Sequence, residues 1–112
     1  MDIIEWKDFE KINLVSGTIV EVEDFPEARK PAFKVKIDLG DEIGIKKSSA
    51  QITTHYSKDQ LIGRQVICVT NFAPKQIGKF MSEVLITGFP DDNGNVILAG
   101  IDQKVKNGSR LF

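Results

Sequence analysis

The sequence predicts an all-β fold, a small barrel of five short strands with short helices between some of them. Three observations support this prediction. Apolar and polar residues alternate strictly from Phe33 to Leu39, which is typical of a strand with one buried face. Residues 64–71, 83–89 and 95–101 are rich in β-branched residues, as strands are. The four prolines all fall between candidate strands, where turns are expected.

The first half of the chain predicts one short helix followed by three strands. Residues 5–12 can form one or two helical turns, which would cover the barrel as a lid. The run 14–23 favours a strand, and its Gly17 fits the bulge or sharp bend that a small barrel requires. After the alternating strand, residues 40–41 predict a tight turn into a third strand over 42–48, antiparallel to its predecessor.

The second half predicts a connecting helix and then further strands. Residues 53–62 favour a short helix with Ser57 as its N-cap and Gly63 as its end. The dipeptide Asn-Gly at 93–94 predicts a polar hairpin turn between the last two strands. Five or more short strands, with a helix between the third and the fourth, fit the OB-fold better than a two-sheet sandwich. The OB-fold is the oligonucleotide- and oligosaccharide-binding barrel.

The last three strands are apolar on both alternating faces. In the first of them, Val66 and Cys68 would face one side and Ile67 and Val69 the other. A strand with only one buried face does not show this pattern, so the barrel needs a second apolar cover outside it. The N-terminal helix and the C-terminal tail could supply only part of that cover. We therefore expect a homodimer, with both chain ends in the subunit interface.

Length and composition predict one soluble domain that spans residues 1–112. Hydrophobic residues make up 41% of the chain and charged residues 28%, which is ordinary for a globular protein. The N-terminus lacks the pattern of a secretory signal, and no apolar run approaches the ~20 residues that cross a bilayer. We therefore expect a cytoplasmic location. The only cysteine, Cys68, cannot form an intrachain disulfide and is expected to be buried.

Catalysis and metal binding lack the residues that they need. His55 is the only histidine, so neither paired imidazole chemistry nor a His-rich metal site can be built. Gly78 and Lys79 lack the preceding glycine and the following Ser or Thr of a phosphate-binding loop. The acidic run 91–95 lacks the spaced ligands of a calcium loop. We therefore expect a binding protein that is not an enzyme and has no metal or cofactor.

Charge is distributed unevenly along the chain, although the net charge is −1. Residues 1–27 hold eight acidic residues against two lysines and carry −6, so residues 28–112 carry +5. Within the basic part, segments 46–51 and 71–83 combine lysines, aromatic residues and polar residues. OB barrels bind single-stranded or looped nucleic acid with such side chains, because lysines contact phosphates and aromatic rings stack on bases.

Within these segments we expect Lys46, Lys75 and Lys79 to share one surface and to contact phosphates. Charge counting alone is equally compatible with surface lysines scattered over the barrel. Phe80, which follows Gly78 and Lys79, could either stack on a base or pack within the protein. Phe72 directly follows an apolar strand, so we expect it to pack within the protein.

At these segments the sequence resembles the tRNA-binding-domain family, which includes free-standing dimers and domains appended to methionyl-tRNA synthetases. The resemblance spans nearly the whole chain. Residues 43–53, 71–74 and 82–85 are most similar to CsaA, the export-chaperone branch of that family. The other matching phrases are 8–11, 17–20, 25–28 and 63–66.

The resemblance implies an OB-fold homodimer that binds tRNA. For the CsaA branch it also implies binding of unfolded preproteins and a link to the SecA translocation motor. Many members of the family have an arginine where this chain has Val15. Without that arginine RNA binding or a structural ion pair is expected to be weaker, so the resemblance supports tRNA binding less strongly than the other properties. Two functions stay open, an export-related chaperone and a free-standing tRNA-binding module for RNA delivery. The expected nucleic-acid-binding residues, with Phe80 added for its chemistry, are Lys46, Lys47, Asn71, Lys75, Lys79, Phe80 and Ser82.

Overall fold

A computed structural model describes residues 1–112, and short strands make up most of its regular structure. None of its helices is long and apolar enough to span a membrane. In chain order the elements are α1 (Trp6–Glu10), β1 (Leu14–Asp24), β2 (Phe33–Asp38), α2 (Gly40–Ile43), β3 (Ile45–Ala50), α3 (Lys58–Leu61), β4 (Gln65–Val69), β5 (Lys75–Ile77), β6 (Phe80–Ser82), β7 (Leu85–Ile86), β8 (Gly88–Pro90) and β9 (Val96–Leu98).

Five strands form one antiparallel sheet in the order β3-β2-β1-β4-β7. The sheet curls into a nearly closed barrel of the OB type, as predicted. β1 pairs with two strands along its length: residues 14–18 pair with β4, and residues 18–24 pair with β2. Next to this change of partner, a Cβ on Gly17 would lie 2.6 Å from side-chain carbons of both Ile37 and Leu39. A glycine is therefore needed where β1 crosses the core.

The alternating segment supplies the centre of the core, as its pattern predicts. Its inward-facing side chains are all buried and belong to Phe33, Val35, Ile37 and Leu39. Cys68 of β4 packs into the same cluster and is fully buried. Burial raises the pKa of the Cys68 thiol to about 12, so the thiol stays protonated and unreactive at neutral pH.

The connection from β2 to β3 differs from the predicted tight turn. Residues Gly40–Ile43 form one helical turn, α2, and β3 begins at Ile45 rather than at residue 42. The Gly44 N–H donates to the Gly40 carbonyl at 2.7 Å, and both glycines have a positive φ that favours glycine. β3 still pairs antiparallel with β2, as predicted.

The connecting helix is shorter than predicted. It spans Lys58–Leu61 rather than 53–62, and Ser57 caps it, as expected, by accepting a hydrogen bond from a first-turn N–H. Tyr56, which precedes the helix, bonds to the last strand instead: the Leu98 N–H donates to Tyr56 Oη at 2.9 Å. This bond to β9 fixes the start of the segment in a turn outside the helix.

Two hairpins follow β4. The β5–β6 hairpin was not predicted, and its three-residue strands are largely exposed. The predicted strand 83–89 is divided into β7, which pairs with β4, and β8, which pairs with β9. Thr87 lies between them, and its N–H and hydroxyl both donate to the Ile67 carbonyl of β4. β8 and β9 form the last hairpin around the predicted turn at 93–94, where Gly94 has a φ of +83°.

The N-terminal helix is not a lid on the barrel, contrary to the prediction. None of the α1 residues is buried, and Trp6 is 61% exposed. The segment is anchored from the side by Asn71, whose Nδ2 donates to the Lys11 carbonyl at 2.7 Å and whose Oδ1 accepts from Asn13 N–H at 2.9 Å. These bonds hold the chain between α1 and β1 against the end of β4.

The C-terminal residues 105–111 form a strap beside the first half of β1. Gly108 N–H donates to the Ser16 carbonyl at 2.8 Å, and Ser16 N–H donates to the Ser109 carbonyl at 2.9 Å. The strap also passes close to the connection after β2, because a Cβ on Gly108 would lie 2.7 Å from the Leu39 carbonyl oxygen. The strap thus covers the part of the β1 edge that β2 leaves unpaired.

We predict that Gly108→Ala destabilises the fold more than Gly94→Ala. Both glycines have a φ of +83°, but a Cβ on Gly94 meets no atom within 4 Å, whereas one on Gly108 meets backbone. Gly94→Ala should cost about 1–2 kcal/mol of unfolding free energy for its φ alone. Gly108→Ala should cost about 1–3 kcal/mol more because the strap must move. Urea unfolding of both variants measures the difference, and equal losses would show that the strap contributes no constraint there.

Candidate functional site

The barrel closes between β3 and the residues that precede β7, through both backbone and side-chain hydrogen bonds. These two strands are the edges of the sheet and are not hydrogen-bonded neighbours. Instead, Glu83 N–H donates to the Lys47 carbonyl at 2.8 Å, and Lys47 N–H donates to Glu83 Oε1 at 3.0 Å. Ser49 N–H donates to Ser82 Oγ at 3.0 Å. Ser82, predicted on the nucleic-acid face, therefore uses its hydroxyl oxygen to join the β5–β6 hairpin to β3.

The outer surface of β2 and β3 carries a basic face, defined here as Lys34, Lys36, Lys47 and Ser49. These residues alternate with buried ones, and the register places Lys36 opposite Lys47 and Lys34 opposite Ser49. Lys34 and Lys36 form exposed ion pairs with Glu27 and Glu21 at 3.5 and 3.0 Å. Hydrogen bonding to Glu21 and its charge raise the pKa of Lys36. Sequence reasoning missed both lysines, although their alternation with the core residues of β2 was the available signal.

The four lysines predicted to bind nucleic acid form no ion pair with an acidic residue of this chain; they are Lys46, Lys47, Lys75 and Lys79. A lysine without a carboxylate partner keeps its full charge available for a phosphate. All four lysines of the two segments that the sequence singled out are therefore without an acidic partner.

The two adjacent lysines of β3 project to opposite sides of the sheet. Lys46 pairs with the fully buried Ile37 and lies on the inner side, at the end of the barrel, where it stays partly exposed. Lys47 lies on the basic face. The structure therefore does not bring Lys46 onto the same face as Lys47, although β3 carries both.

The β5–β6 hairpin turns one face toward β3. Its register pairs Lys75 with Ser82 and Ile77 with Phe80, so these four side chains share a face. Lys79 lies in the exposed turn between the two strands. The hairpin thus carries Lys75, Phe80 and Ser82 together, with Lys79 at its tip.

Phe80 packs within the protein beneath two lysines of the basic face. Its ring centroid lies 5.3 Å from that of Phe25. Lys47 Nζ lies 5.3 Å and Lys34 Nζ 5.8 Å from the centre of the Phe80 ring. This arrangement is a cation–π cluster that holds the lysine heads over the hairpin. Phe25 was not predicted for the site, and no sequence pattern links it to Phe80.

Two further residues that the resemblance singled out, Asn71 and Val15, have structural roles in this fold. The side-chain amide of Asn71 forms hydrogen bonds to the backbone of the N-terminal segment through both its oxygen and its nitrogen. Val15, at the family's arginine position, is 3% exposed and part of the core. No cation at that position is available for a ligand in this chain.

An apolar groove of about 720 Å³ lies beside the hairpin. Phe72, expected to pack within the protein, is instead 60% exposed at this groove, because the chain leaves the barrel directly after β4. The charged residues of the groove are Lys75 and Glu83. Its apolar lining consists of Ala50, Ile52, Phe72, Ala73, Ile77, Val84, Leu85, Ile86 and Val96.

The groove and the basic face meet along β3. Ser49 belongs to the basic face and also lines the groove, and Lys75 and Ser82 of the hairpin line the groove as well. The β5–β6 hairpin therefore separates the lysine-bearing surface of β2 and β3 from the apolar groove and contributes to both. The arrangement offers two kinds of binding, to phosphates by charge and to apolar side chains by burial.

Comparisons with known proteins agree with this architecture. Residues 14–110 match the family described as "Putative tRNA binding domain". The chaperone CsaA of Bacillus anthracis superposes with a TM-score of 0.92 at 40% identity, covering 99% of this chain and 100% of that one. The CsaA chaperone protein of Picrophilus torridus gives 0.91 at 49% identity, with 98% and 100% covered.

The match also extends to part of a larger enzyme. The methionine–tRNA ligase of Methanocaldococcus jannaschii is 36% identical over 111 residues, which is 99% of this chain. This chain spans only 17% of the length of that enzyme. With a family match over most of its length and full-length likeness to two CsaA structures, the chain belongs to the tRNA-binding-domain family as a CsaA-like member.

Proposed function

We propose that this protein is a homodimeric, non-catalytic chaperone of the cytoplasm that holds unfolded preproteins for export and also binds tRNA. The observation that supports it best is the apolar groove of about 720 Å³ directly beside unpaired lysines. The likeness to CsaA supports the chaperone role, and the family supports tRNA. A link to the SecA translocation motor is part of this proposal.

Polypeptide binding is supported by the exposed apolar side chains of the groove. Phe72 is 60% and Leu85 48% exposed, while Ile52 and Val84 beneath them are buried. Burying one such side chain contributes about 1.5–3 kcal/mol, so a few contacts give useful affinity. Because burial is not directional, the groove should accept many sequences with modest affinity.

tRNA binding is supported by the lysines that have no acidic partner. Lys47, Lys75 and Lys79 can each follow a phosphate backbone as compact charges. Phe80 is already packed against Phe25, so charge rather than stacking should dominate. Should polypeptide binding prove absent, this surface alone favours the alternative function, a free-standing tRNA-binding module.

A homodimer is supported by apolar side chains exposed near both chain ends. They belong to Met1, Ile3, Ile4, Trp6 and Phe112. Such residues are a liability in a monomer and are typical of subunit contacts. We expect a dimer that buries at least ~1,200 Å². Sedimentation velocity at micromolar concentration measures this, and a stable monomer would contradict it.

We predict that Lys47→Ala weakens tRNA binding more than Lys46→Ala. The two lysines are adjacent in sequence, but only Lys47 lies on the basic face. Losing one phosphate contact should flatten the slope of log affinity against log salt by about one unit for Lys47→Ala. Filter binding of tRNA across a KCl series measures both slopes. A loss confined to Lys46→Ala would place RNA on the other side of β3, and unfolding of either variant would indicate a structural lysine.

We predict that Phe72→Ala lowers affinity for an unfolded polypeptide about tenfold, because it removes a large apolar contact from the groove. Phe89→Ala is the matched control, since Phe89 is 66% exposed but lies outside the groove. Fluorescence anisotropy with a labelled, reduced and carboxymethylated protein measures the affinities. Equal losses in both variants would show that binding is not located in the groove.

A further inference from the structure

The register between β2 and β3 decides which way the β3 backbone points. Along an antiparallel pair, residues alternate between bonding to the neighbouring strand and pointing away from it. The Leu39 N–H donates to the Gly44 carbonyl. Every second residue pair of the β2–β3 register, counted from this one, is therefore hydrogen-bonded across the two strands. The N–H and C=O groups of Lys47 and Ser49 therefore point away from β2. Gln51 is the next residue in this alternation and directly follows the last residue of β3.

Two of these three residues already have partners at the barrel closure. Lys47 exchanges bonds with Glu83, and Ser49 N–H donates to Ser82 Oγ. Gln51 differs, because neither its N–H nor its C=O forms a hydrogen bond within the chain. The β3 edge is thus closed at Lys47 and Ser49, and the backbone is open at Gln51, directly after β3.

The open position lies in the wall of the apolar groove. Gln51 and its neighbours Ala50 and Ile52 line the groove, and the opposite wall includes Val84 and Leu85. Gln51 itself is exposed, whereas Ala50 and Ile52 are buried. A free backbone donor and acceptor therefore stand next to apolar surface.

We propose that the groove binds unfolded polypeptide as an added β-strand, whose backbone pairs with the N–H and C=O of Gln51. This inference rests on the proposed polypeptide binding and specifies how it occurs. A peptide backbone supplies both an acceptor and a donor at the spacing that an open strand edge requires. Side chains on one side of the added strand then enter the groove, and alternate ones face solvent.

This mode accounts for binding without sequence specificity. Backbone pairing is available to every residue except proline, so it can hold a ligand strand independently of its side chains. The apolar lining then selects segments with apolar residues at every second position. Lys75 and Glu83 carry opposite charges within the groove, so neither an acidic nor a basic segment is strongly excluded.

The first test uses a short synthetic peptide in which leucine and threonine alternate, and a set of versions with one backbone nitrogen methylated. Methylation removes a donor while leaving the side chains in place. We expect a loss of about tenfold at one position, where the ligand N–H donates to the Gln51 C=O, and small changes at the others. Uniform tolerance of methylation would overturn strand addition while leaving groove binding intact. Failure of the unmodified peptide to bind would overturn both proposals.

The second test changes the protein. Gln51→Pro removes the N–H, and Gln51→Ala, the matched control, keeps it. Proline is compatible with the chain here because Ala50, the preceding residue, already lies in a strand. We expect about a tenfold loss of peptide affinity for Gln51→Pro only, with both variants unfolding cooperatively. Equal affinities in folded variants would contradict the proposal.

A second copy of the chain is the competing occupant of the edge. Amide hydrogen exchange of Gln51 separates the two cases. We expect fast exchange in the free dimer and slower exchange after the peptide is added. Slow exchange in the free dimer that is lost on dilution to monomer would assign the edge to the subunit interface and overturn the proposal.

Discussion

The barrel depends on a closure made by Ser82 and Glu83 rather than by a ladder between β3 and β7. Four hydrogen bonds to Lys47 and Ser49 make this closure, and two of them use side-chain oxygens. Side chains can satisfy only the backbone groups that they reach. The closure therefore ends after Ser49, and beyond it the core residues of both edges line an open groove.

The same closure positions the β5–β6 hairpin. Ser82, at the end of β6, bonds to β3. Phe80, at the start of β6, packs against Phe25 beneath the lysines of the basic face. A short exposed hairpin with few buried residues would otherwise be marginal. With it in place, a charged surface and an apolar surface lie side by side on a small protein. Their ligands would be held by forces with different salt dependence, since charge is screened and burial is not.

The sequence predicted the parts of the fold that follow from hydrophobic periodicity. The alternation from Phe33 to Leu39 identified the central strand and its buried face, and Gly17 marked the point where β1 needs a glycine. The β5–β6 hairpin was missed because its strands have three residues each and one alternating face is mostly exposed. No periodicity can be read from so short and polar a segment.

The candidate site was predictable in composition but not in geometry. Adjacent lysines look equivalent in a sequence, yet strand alternation separates Lys46 from Lys47. Phe72 follows an apolar strand and was expected inside, but the chain turns away from the barrel there and leaves it exposed. The missing information was in each case tertiary, namely the position of the strand edge and the direction of the exit from β4.

We propose that charge and burial act on two adjacent surfaces of this protein. Binding of tRNA and of an unfolded, carboxymethylated polypeptide to the same protein preparation across a KCl series tests this proposal. We expect that tRNA affinity falls steeply, with a slope of about one unit per phosphate contact, while polypeptide affinity stays nearly constant. A parallel fall of both affinities would contradict it, because one electrostatic surface would then serve both ligands.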